Sequence, residues 1–205
     1  MDGYFQIALK DLLEQYGEDS VKPILSTFSC PLNPDLQNFL CGKSAIDFAK
    51  QNIAPTHLIF ASHKESPVLV GYFTLALKSF TIKNNSTCLS KSLKKKIQKF
   101  ATYIPELDCY QISAPLIGQL GKNFTNGYNK LITGDELLKM ACDKIAMVQQ
   151  SIGGKVVYIE CEDKPKLLEF YESNGFVPFS KRPLDKDEKN DLSGEYLIQM
   201  LKYIK

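Results

Sequence analysis

The segment Val156-Val157-Tyr158-Ile159-Glu160-Cys161, followed by Pro165-Lys166-Leu167-Leu168-Glu169-Phe170-Tyr171-Glu172-Ser173-Asn174-Gly175-Phe176, constrains the fold more than any other part of the chain. Its first half is branched and aromatic and reads as a buried strand. Its second half reads as a short helix, which Gly175 stops before another strand opens at Phe176. A strand, a helix and a returning strand in so few residues call for a sheet with a helix packed on it.

The chain has 205 residues, enough for one generous domain with a single core, and residues 1–205 are read as one domain. A formal charge of +2 gives no bulk electrostatic case for nucleic acid or an anionic membrane as the main partner. Met1–Tyr16 has neither a basic leader nor an apolar signal core, and no run is long enough to span a bilayer. The six cysteines, Cys30, Cys41, Cys88, Cys109, Cys142 and Cys161, are scattered without a C-x-x-C pair, as befits reduced thiols in a cytoplasmic protein. His57 and His63 lack partners at ligand spacing, so no metal site is expected.

Tyr4–Tyr16 reads as an amphipathic helix, with Phe5, Leu9, Leu12 and Leu13 on one face and Gly17 after its end. Pro23–Ser29 reads as a first strand. Asn33-Pro34-Asp35 offers a cap and an N1 proline for a helix through Phe39 and Leu40, and Ser44–Gln51 reads as another helix. His57–Ser62 and Val68–Ile82 read as paired strands joined by a turn at His63-Lys64-Glu65-Ser66.

Asn84–Tyr110 breaks the pattern and reads as a helical insertion. Leu93, Ile97 and Phe100 share one face, while Lys94, Lys95, Lys96 and Lys99 cover the other. Such a face is either solvated or a docking surface for a polyanion such as tRNA, or for an acidic protein. Ala114–Lys122 then reads as a strand, Asn123–Thr133 as a long polar loop, and Gly134 to about Gln150 as a helix capped by Thr133 and Glu136. Lys181–Asn190 reads as a charged loop and Tyr196–Tyr203 as the last strand. The sum is an α+β protein with a mixed, mostly antiparallel sheet flanked by helices.

A helix N-terminus directly after a strand and a loop is an anion site, because free backbone N–H groups and the helix dipole converge there. Together with Phe170-Tyr171 and Asn174-Gly175-Phe176 near the end of the short helix, this arrangement resembles the GNAT superfamily of N-acetyltransferases. The resemblance implies acetyl-CoA as cosubstrate and no metal. It also implies that Tyr171 protonates the departing thiolate and that Ile117-Gly118-Gln119-Leu120-Gly121-Lys122 is a strand splayed from its neighbour. The main chains of Leu120 and Lys122 would then face the pantetheine amides, with the Leu120 N–H as an oxyanion donor. The pyrophosphate would meet Asn126, Gly127, Lys130, Thr133 and Gly134. Two features depart from the family pattern. Asn129-Lys130-Leu131-Ile132-Thr133-Gly134 keeps only the final glycine of the phosphate loop, and Lys164 stands where many relatives place a cofactor-touching asparagine.

The N-terminal half extends the resemblance. Phe39-Leu40-Cys41-Gly42, Ile46-Asp47-Phe48-Ala49 and Val70-Gly71-Tyr72-Phe73-Thr74-Leu75 look like the GNAT toxins of toxin–antitoxin pairs, in which aminoacyl-tRNA is the acceptor. The function implied is transfer of an acetyl group to a primary amine by direct attack in a ternary complex. Two alternatives stay open, a toxin acetylating aminoacyl-tRNA and a non-catalytic module that binds acyl-CoA or a partner protein. Partners consistent with the resemblance are an amine acceptor, tRNA, an antitoxin protein and a second copy of the chain. Glu160 and Glu162 share a strand face, and Glu160 is the candidate general base. Cys161 lacks a histidine to activate it as a nucleophile.

Overall fold

The computed structural model describes residues 3–186, 188–190, 192 and 194–204; for Asn190 it describes the backbone only. The chain is α+β, and its described residues form eight strands in a mixed sheet flanked by helices. In chain order the elements are β1 (Phe5–Ala8), α1 (Leu9–Tyr16), α2 (Glu18–Leu25), α3 (Pro34–Cys41), α4 (Ser44–Gln51), β2 (Thr56–His63) and β3 (Ser66–Lys83). Then come α5 (Lys91–Ile97), β4 (Ala101–Ile104), β5 (Cys109–Lys122), α6 (Gly134–Ile152), β6 (Val156–Glu162), α7 (Pro165–Ser173), β7 (Val177–Pro183) and β8 (Tyr196–Tyr203). The strand order is β1-β2-β3-β5-β6-β8-β7, with β4 pairing β5. The β5–β6 pair is parallel, Leu116 opposite Tyr158 and Ile117 opposite Ile159, whereas β1–β2, β2–β3, β4–β5, β6–β8 and β7–β8 are antiparallel.

The chain forms two compact units, one of residues 1–76 and 118–141, the other of residues 77–117 and 142–205. The first has a core of Leu9, Val21, Leu25, Leu40, Ala45, Ile46, Leu58 and Tyr72, with Leu36, Phe39 and Phe124 packed against it. The second is built on Phe80, Ile97, Ile112, Val156, Tyr158, Phe179 and Leu201.

Local rules explain most of the elements. Asn33 caps α3 by accepting from the Asp35 N–H at 3.0 Å, with Pro34 at the first helical position. Lys64 and Glu65 both adopt positive φ (50° and 63°), the two-residue turn whose twist suits the β2–β3 hairpin. A bulge places Ile59 opposite Gly71 but Phe60 opposite Leu69, so Val70 is the extra residue on β3.

Three expectations are overturned. Tyr4–Tyr16 is not one helix: Phe5–Ala8 pairs with His57–Phe60 as an edge strand, and the helix starts only at Leu9. Pro23–Ser29 is not a strand. Glu18–Leu25 is a helix that contains Pro23, because Val21 and Leu25 at i,i+4 spacing are both buried in the core. Burial of about 1.5–3 kcal/mol per aliphatic side chain outweighs the local preference against proline. Lys181–Asn190 is not all loop, since Lys181, Arg182 and Pro183 pair with Ile198, Leu197 and Tyr196 on the outermost strand, β7. Asp187, within that range, lies outside the described residues.

The 84–110 insertion is helical at α5 and in the 3-10 turns Gln98–Phe100 and Pro105–Leu107, and the rest pairs β4 with the start of β5. Its lysine face is also smaller than the spacing suggests. The Lys94 ammonium donates to the carbonyls of Asn84 and, at 3.0 Å, Ser86, and Lys96 lies over the Tyr203 ring at 5.5 Å. Lys95 and Lys99 are exposed.

Candidate active site

In the first unit, the loop between β5 and α6 is assembled around Asn123, which has no exposed surface. Its Oδ1 accepts from the Ser29 and Thr125 N–H groups at 2.9 and 3.0 Å. Its Nδ2 donates to the carbonyls of Thr27 and Leu69 at 3.2 and 2.8 Å, and its own N–H donates to Val70 at 2.8 Å. The two β3 carbonyls that Asn123 engages, Leu69 with its side chain and Val70 with its main chain, lie at the bulge.

After Asn123 the chain makes a 3-10 turn over Thr125–Lys130, in which Asn126 (φ 53°) and Gly127 (φ 75°) are both left-handed. Gly127 meets that geometry without penalty and Asn126 at little. The Lys122 ammonium reaches across the loop to the carbonyls of Asn129 (3.0 Å) and Ile132 (3.2 Å), and the Tyr4 hydroxyl donates to Leu131 (2.8 Å).

The expected capping box is complete. The Thr133 hydroxyl accepts from the Glu136 N–H at 3.1 Å, and the Glu136 carboxylate accepts from the Thr133 N–H and hydroxyl, both at 2.8 Å. These bonds, the backbone N–H first, hold the Glu136 carboxyl below the usual carboxylate range. Thr133 thus spends its donors on Glu136, while Lys130 is exposed and Gly134 opens α6. Lys130 and the backbone N–H groups of the first turn of α6 are the groups here that could hold a phosphate; Thr133, with both donors on Glu136, is not.

Beside the loop, β5 is in close contact with its own unit. A Cβ on Gly121 would lie 3.0 Å from Leu36 and 3.3 Å from Phe28, and one on Gly71 would lie 2.8 Å from the Gly121 carbonyl. Gln119 donates to Asp35 Oδ2 at 3.0 Å, and the Tyr72 hydroxyl donates to the Leu36 carbonyl at 2.7 Å.

The second unit carries Tyr171, Glu160 and Lys164. Tyr171 lies in the last turn of α7, where its carbonyl accepts from the Asn174 and Phe176 N–H groups at 3.1 and 3.0 Å. Gly175 takes φ 81°, the left-handed conformation that ends the helix. The Tyr171 ring lies between Phe170 (5.0 Å) and Phe176 (5.7 Å), and the residue is 8% exposed. Burial, and then the neighbouring Cys161, push its ionisation well above the ordinary tyrosine value, so the phenol keeps its proton at neutral pH. Among the described residues its hydroxyl has no hydrogen-bond partner, and it is not among the fully enclosed unpaired atoms, which are Thr56 Oγ1 and Gln149 Oε1. Burial also drives the Cys161 thiol up to about 12, with help from Asp163 and Glu162, so this sulfur stays protonated.

Both Glu160 oxygens are engaged. Oε2 accepts from Arg182 Nε and Oε1 from Gln199 Nε2, each at 2.8 Å. The same guanidinium also grips Glu188 through two nitrogens at 2.9 and 2.6 Å and Asp185 at 3.2 Å. Lys164 caps α7 with its carbonyl, which accepts from Leu167 and Leu168, and its ammonium pairs with Glu162 at 2.7 Å. Among the described residues no cluster could hold a metal ion, and no helix is long and apolar enough to cross a membrane.

The structure gathers Leu120, Lys122, Asn126, Gly127, Lys130, Thr133 and Gly134 in the first unit and Tyr171, Glu160 and Lys164 in the second. Asn123, Tyr72, Asp35 and Arg182 escape the sequence reading. Their partners lie many residues away, and nothing adjacent to them announces the contact.

No family profile and no curated protein sequence matches the chain. Solved structures do. A tyrosine-to-phenylalanine mutant of the AtaT toxin, bound to the C-terminus of the antitoxin AtaR and acetyl-CoA, matches with a TM-score of 0.59 at 16% identity, covering 99% of this chain and 94% of that one. AtaT complexed with acetyl-methionyl-tRNAfMet matches with a TM-score of 0.60 at 19% identity, covering 96% and 94%. A tyrosine-to-phenylalanine mutant of KacT matches with a TM-score of 0.59 at 16% identity, again covering 96% and 94%. The chain has the fold of these toxins, the GNAT fold.

Proposed function

We propose that this protein is an acetyl-CoA-dependent N-acetyltransferase acting on a primary amine, with Tyr171 as general acid. The observation that carries the reading is the state of the Tyr171 phenol: protonated, packed between two rings and, among the described residues, free of a protein partner. A buried tyrosine hydroxyl usually finds a hydrogen-bond partner, so one without a protein partner is available to a ligand. Shared fold with toxins solved with acetyl-CoA and with an acetylated aminoacyl-tRNA supports the same chemistry.

Acetyl-CoA, when bound, supplies an activated acetyl thioester. In this reading Lys130 and the first turn of α6 bind its pyrophosphate, and Leu120 and Lys122 present main-chain groups to its pantetheine arm. Asn126 and Gly127 shape the loop that brings Lys130 into place. The Leu120 N–H faces the developing oxyanion, and the Tyr171 hydroxyl delivers a proton to the departing sulfur. Glu160 is committed to Arg182 and Gln199, so water takes the proton from the attacking amine.

The test is Tyr171→Phe in a free-CoA assay, with peptides, polyamines and charged tRNA screened as acceptors. Turnover is expected to fall about a hundredfold, the usual worth of a positioned proton donor. Acetyl-CoA affinity and melting temperature should stay close to wild type, because the ring and its packing remain. Wild-type turnover by the variant overturns the reading.

A second reading, a toxin that acetylates aminoacyl-tRNA, is favoured by the AtaT complex with acetyl-methionyl-tRNAfMet and by the exposed Lys95 and Lys99. Charged tRNA in the same screen separates the two, since a toxin would turn it over far faster than any small amine.

A further inference from the structure

Tyr4, ahead of β1, and Lys122, at the end of β5, hold three carbonyls of the β5–α6 loop. The Tyr4 hydroxyl donates to Leu131 at 2.8 Å, and the Lys122 ammonium donates to Asn129 at 3.0 Å and Ile132 at 3.2 Å. Burial, and then the Glu136 charge, push the Tyr4 ionisation above its ordinary value, so the phenol remains a donor at neutral pH. All of these residues belong to the first unit.

A trans peptide plane points its N–H opposite to its carbonyl, and no described peptide is cis. Fixing the Leu131 carbonyl therefore fixes the Ile132 N–H, aimed away from Tyr4. Among the described residues that N–H has no acceptor. The next plane obeys the same rule. Lys122 holds the Ile132 carbonyl, and the Thr133 N–H on its far side meets Glu136 Oε2 at 2.8 Å. The Ile132 N–H thus stands two residues before Gly134, where the unpaired N–H groups of α6 begin.

The loop sequence explains why side chains from elsewhere are needed. Glycine lets a loop turn its peptide planes at little cost, but Asn129–Thr133 contains none, and the left-handed residues Asn126 and Gly127 lie upstream. A reversed Leu131–Ile132 plane would turn a carbonyl oxygen, the negative end of its dipole, to the side the N–H now faces.

We propose that the Ile132 N–H is a ligand of the cosubstrate's diphosphate, and that Tyr4 and Lys122 are the positioning residues that aim it. This rests on the acetyltransferase reading, in which Lys130 and the first turn of α6 bind the same group. Tyr4 carries no charge, so it acts by orientation alone, whereas Lys122 also adds a cation under the loop.

The test titrates CoA into isotope-labelled wild type, Tyr4→Phe and Lys122→Met, with affinity read by calorimetry and the backbone by amide spectra. In the wild type the Ile132 amide proton should move downfield as CoA binds, the signature of a bond to a phosphate oxygen. S-acetylpantetheine, which lacks the diphosphate, should leave it in place. Tyr4→Phe should weaken CoA about fivefold, the worth of one neutral hydrogen bond, and Lys122→Met about tenfold or more. Both should shrink the downfield shift and melt within a few degrees of wild type. CoA binding that leaves the Ile132 amide unmoved, or an equal shift with S-acetylpantetheine, overturns the proposal while the acetyltransferase reading stands. Wild-type affinity in Tyr4→Phe overturns it too, since a loss confined to Lys122→Met is the loss of a charge. The wild-type spectra decide even where Lys122→Met folds poorly. Failure of the wild type to bind CoA at all removes both readings.

Discussion

Two regions, the surroundings of the β5–α6 loop in the first unit and the Arg182 cluster in the second, fix their polar groups in opposite ways. In the first, side chains bond to main chain: Asn123 to four backbone groups, Lys122 to two carbonyls and Tyr4 and Tyr72 to one each. In the second, charges bond to charges, with Arg182 at the centre of Glu160, Glu188 and Asp185, and Lys181, Asp163 and Tyr196 in contact nearby. The first arrangement dictates the path of a loop. The second immobilises side chains on strands whose path the ladder has already set. Among the described residues the Tyr171 hydroxyl, in the second unit, has no protein partner, and it is where acid catalysis is proposed.

If the contrast is right, Asn123→Ala should be the most damaging change. It strands two N–H groups and two carbonyls around a side chain that itself has no exposed surface, which predicts a loss of about 3 kcal/mol. At roughly 2–4 °C per kcal/mol for a chain of this size, thermal unfolding should shift by about 6–12 °C. Because these bonds are neutral and buried, the loss should be the same at low and high salt. A shift under 2 °C would mean that the loop does not depend on Asn123.

Arg182→Leu should cost less, about 1–2 kcal/mol, because the carboxylates it abandons are only partly shielded and partly regain water. Here salt should matter, with the gap between variant and wild type narrowing as ionic strength rises. Salt-independent destabilisation would show that Arg182 acts by packing its aliphatic stem, and the contrast between the units would fail.

The smallest effect is expected at the helix cap. Glu136→Gln should cost about 0.5–1 kcal/mol after allowance for its exposure. Glu136 is held below the usual carboxylate range, chiefly by the Thr133 N–H. Its contribution is therefore complete above that range and is lost as pH falls through its lowered value. Chemical denaturation from pH 7 downward should show the variant and wild type converging in acid. A gap that widens on acidification would reverse the sign and refute the assignment.

What the sequence reveals depends on how local the cause is. The α3 cap at Asn33, the helix over Ser44–Gln51, the hairpin turn at Lys64-Glu65, the Thr133–Glu136 box and the stop at Gly175 are settled within a few residues, and all are visible beforehand. The edge strand Phe5–Ala8 is settled by β2, about fifty residues on, so its apolar spacing reads as a continuation of α1. The helix around Pro23 is settled by the core that Val21 and Leu25 enter. The candidate site divides likewise. The α7 tyrosine and the glycine behind it are local and readable, whereas Asp35 meets Gln119 across eighty-four positions, and Arg182 reads as loop charge although an outermost strand accommodates it.

Gly71 and Gly121 carry one last lesson. A side chain at Gly71 would begin 2.8 Å from the Gly121 carbonyl, so at this point main chain meets main chain. The usual currency of core evolution, one apolar side chain exchanged for another of similar volume, has no denomination there. Neighbouring positions can drift and be compensated by a partner's change in size, but nothing adjacent can shrink to make room for a methyl group. Drift at this contact must stop at glycine, and any lineage that keeps the crossing must keep an atom absent.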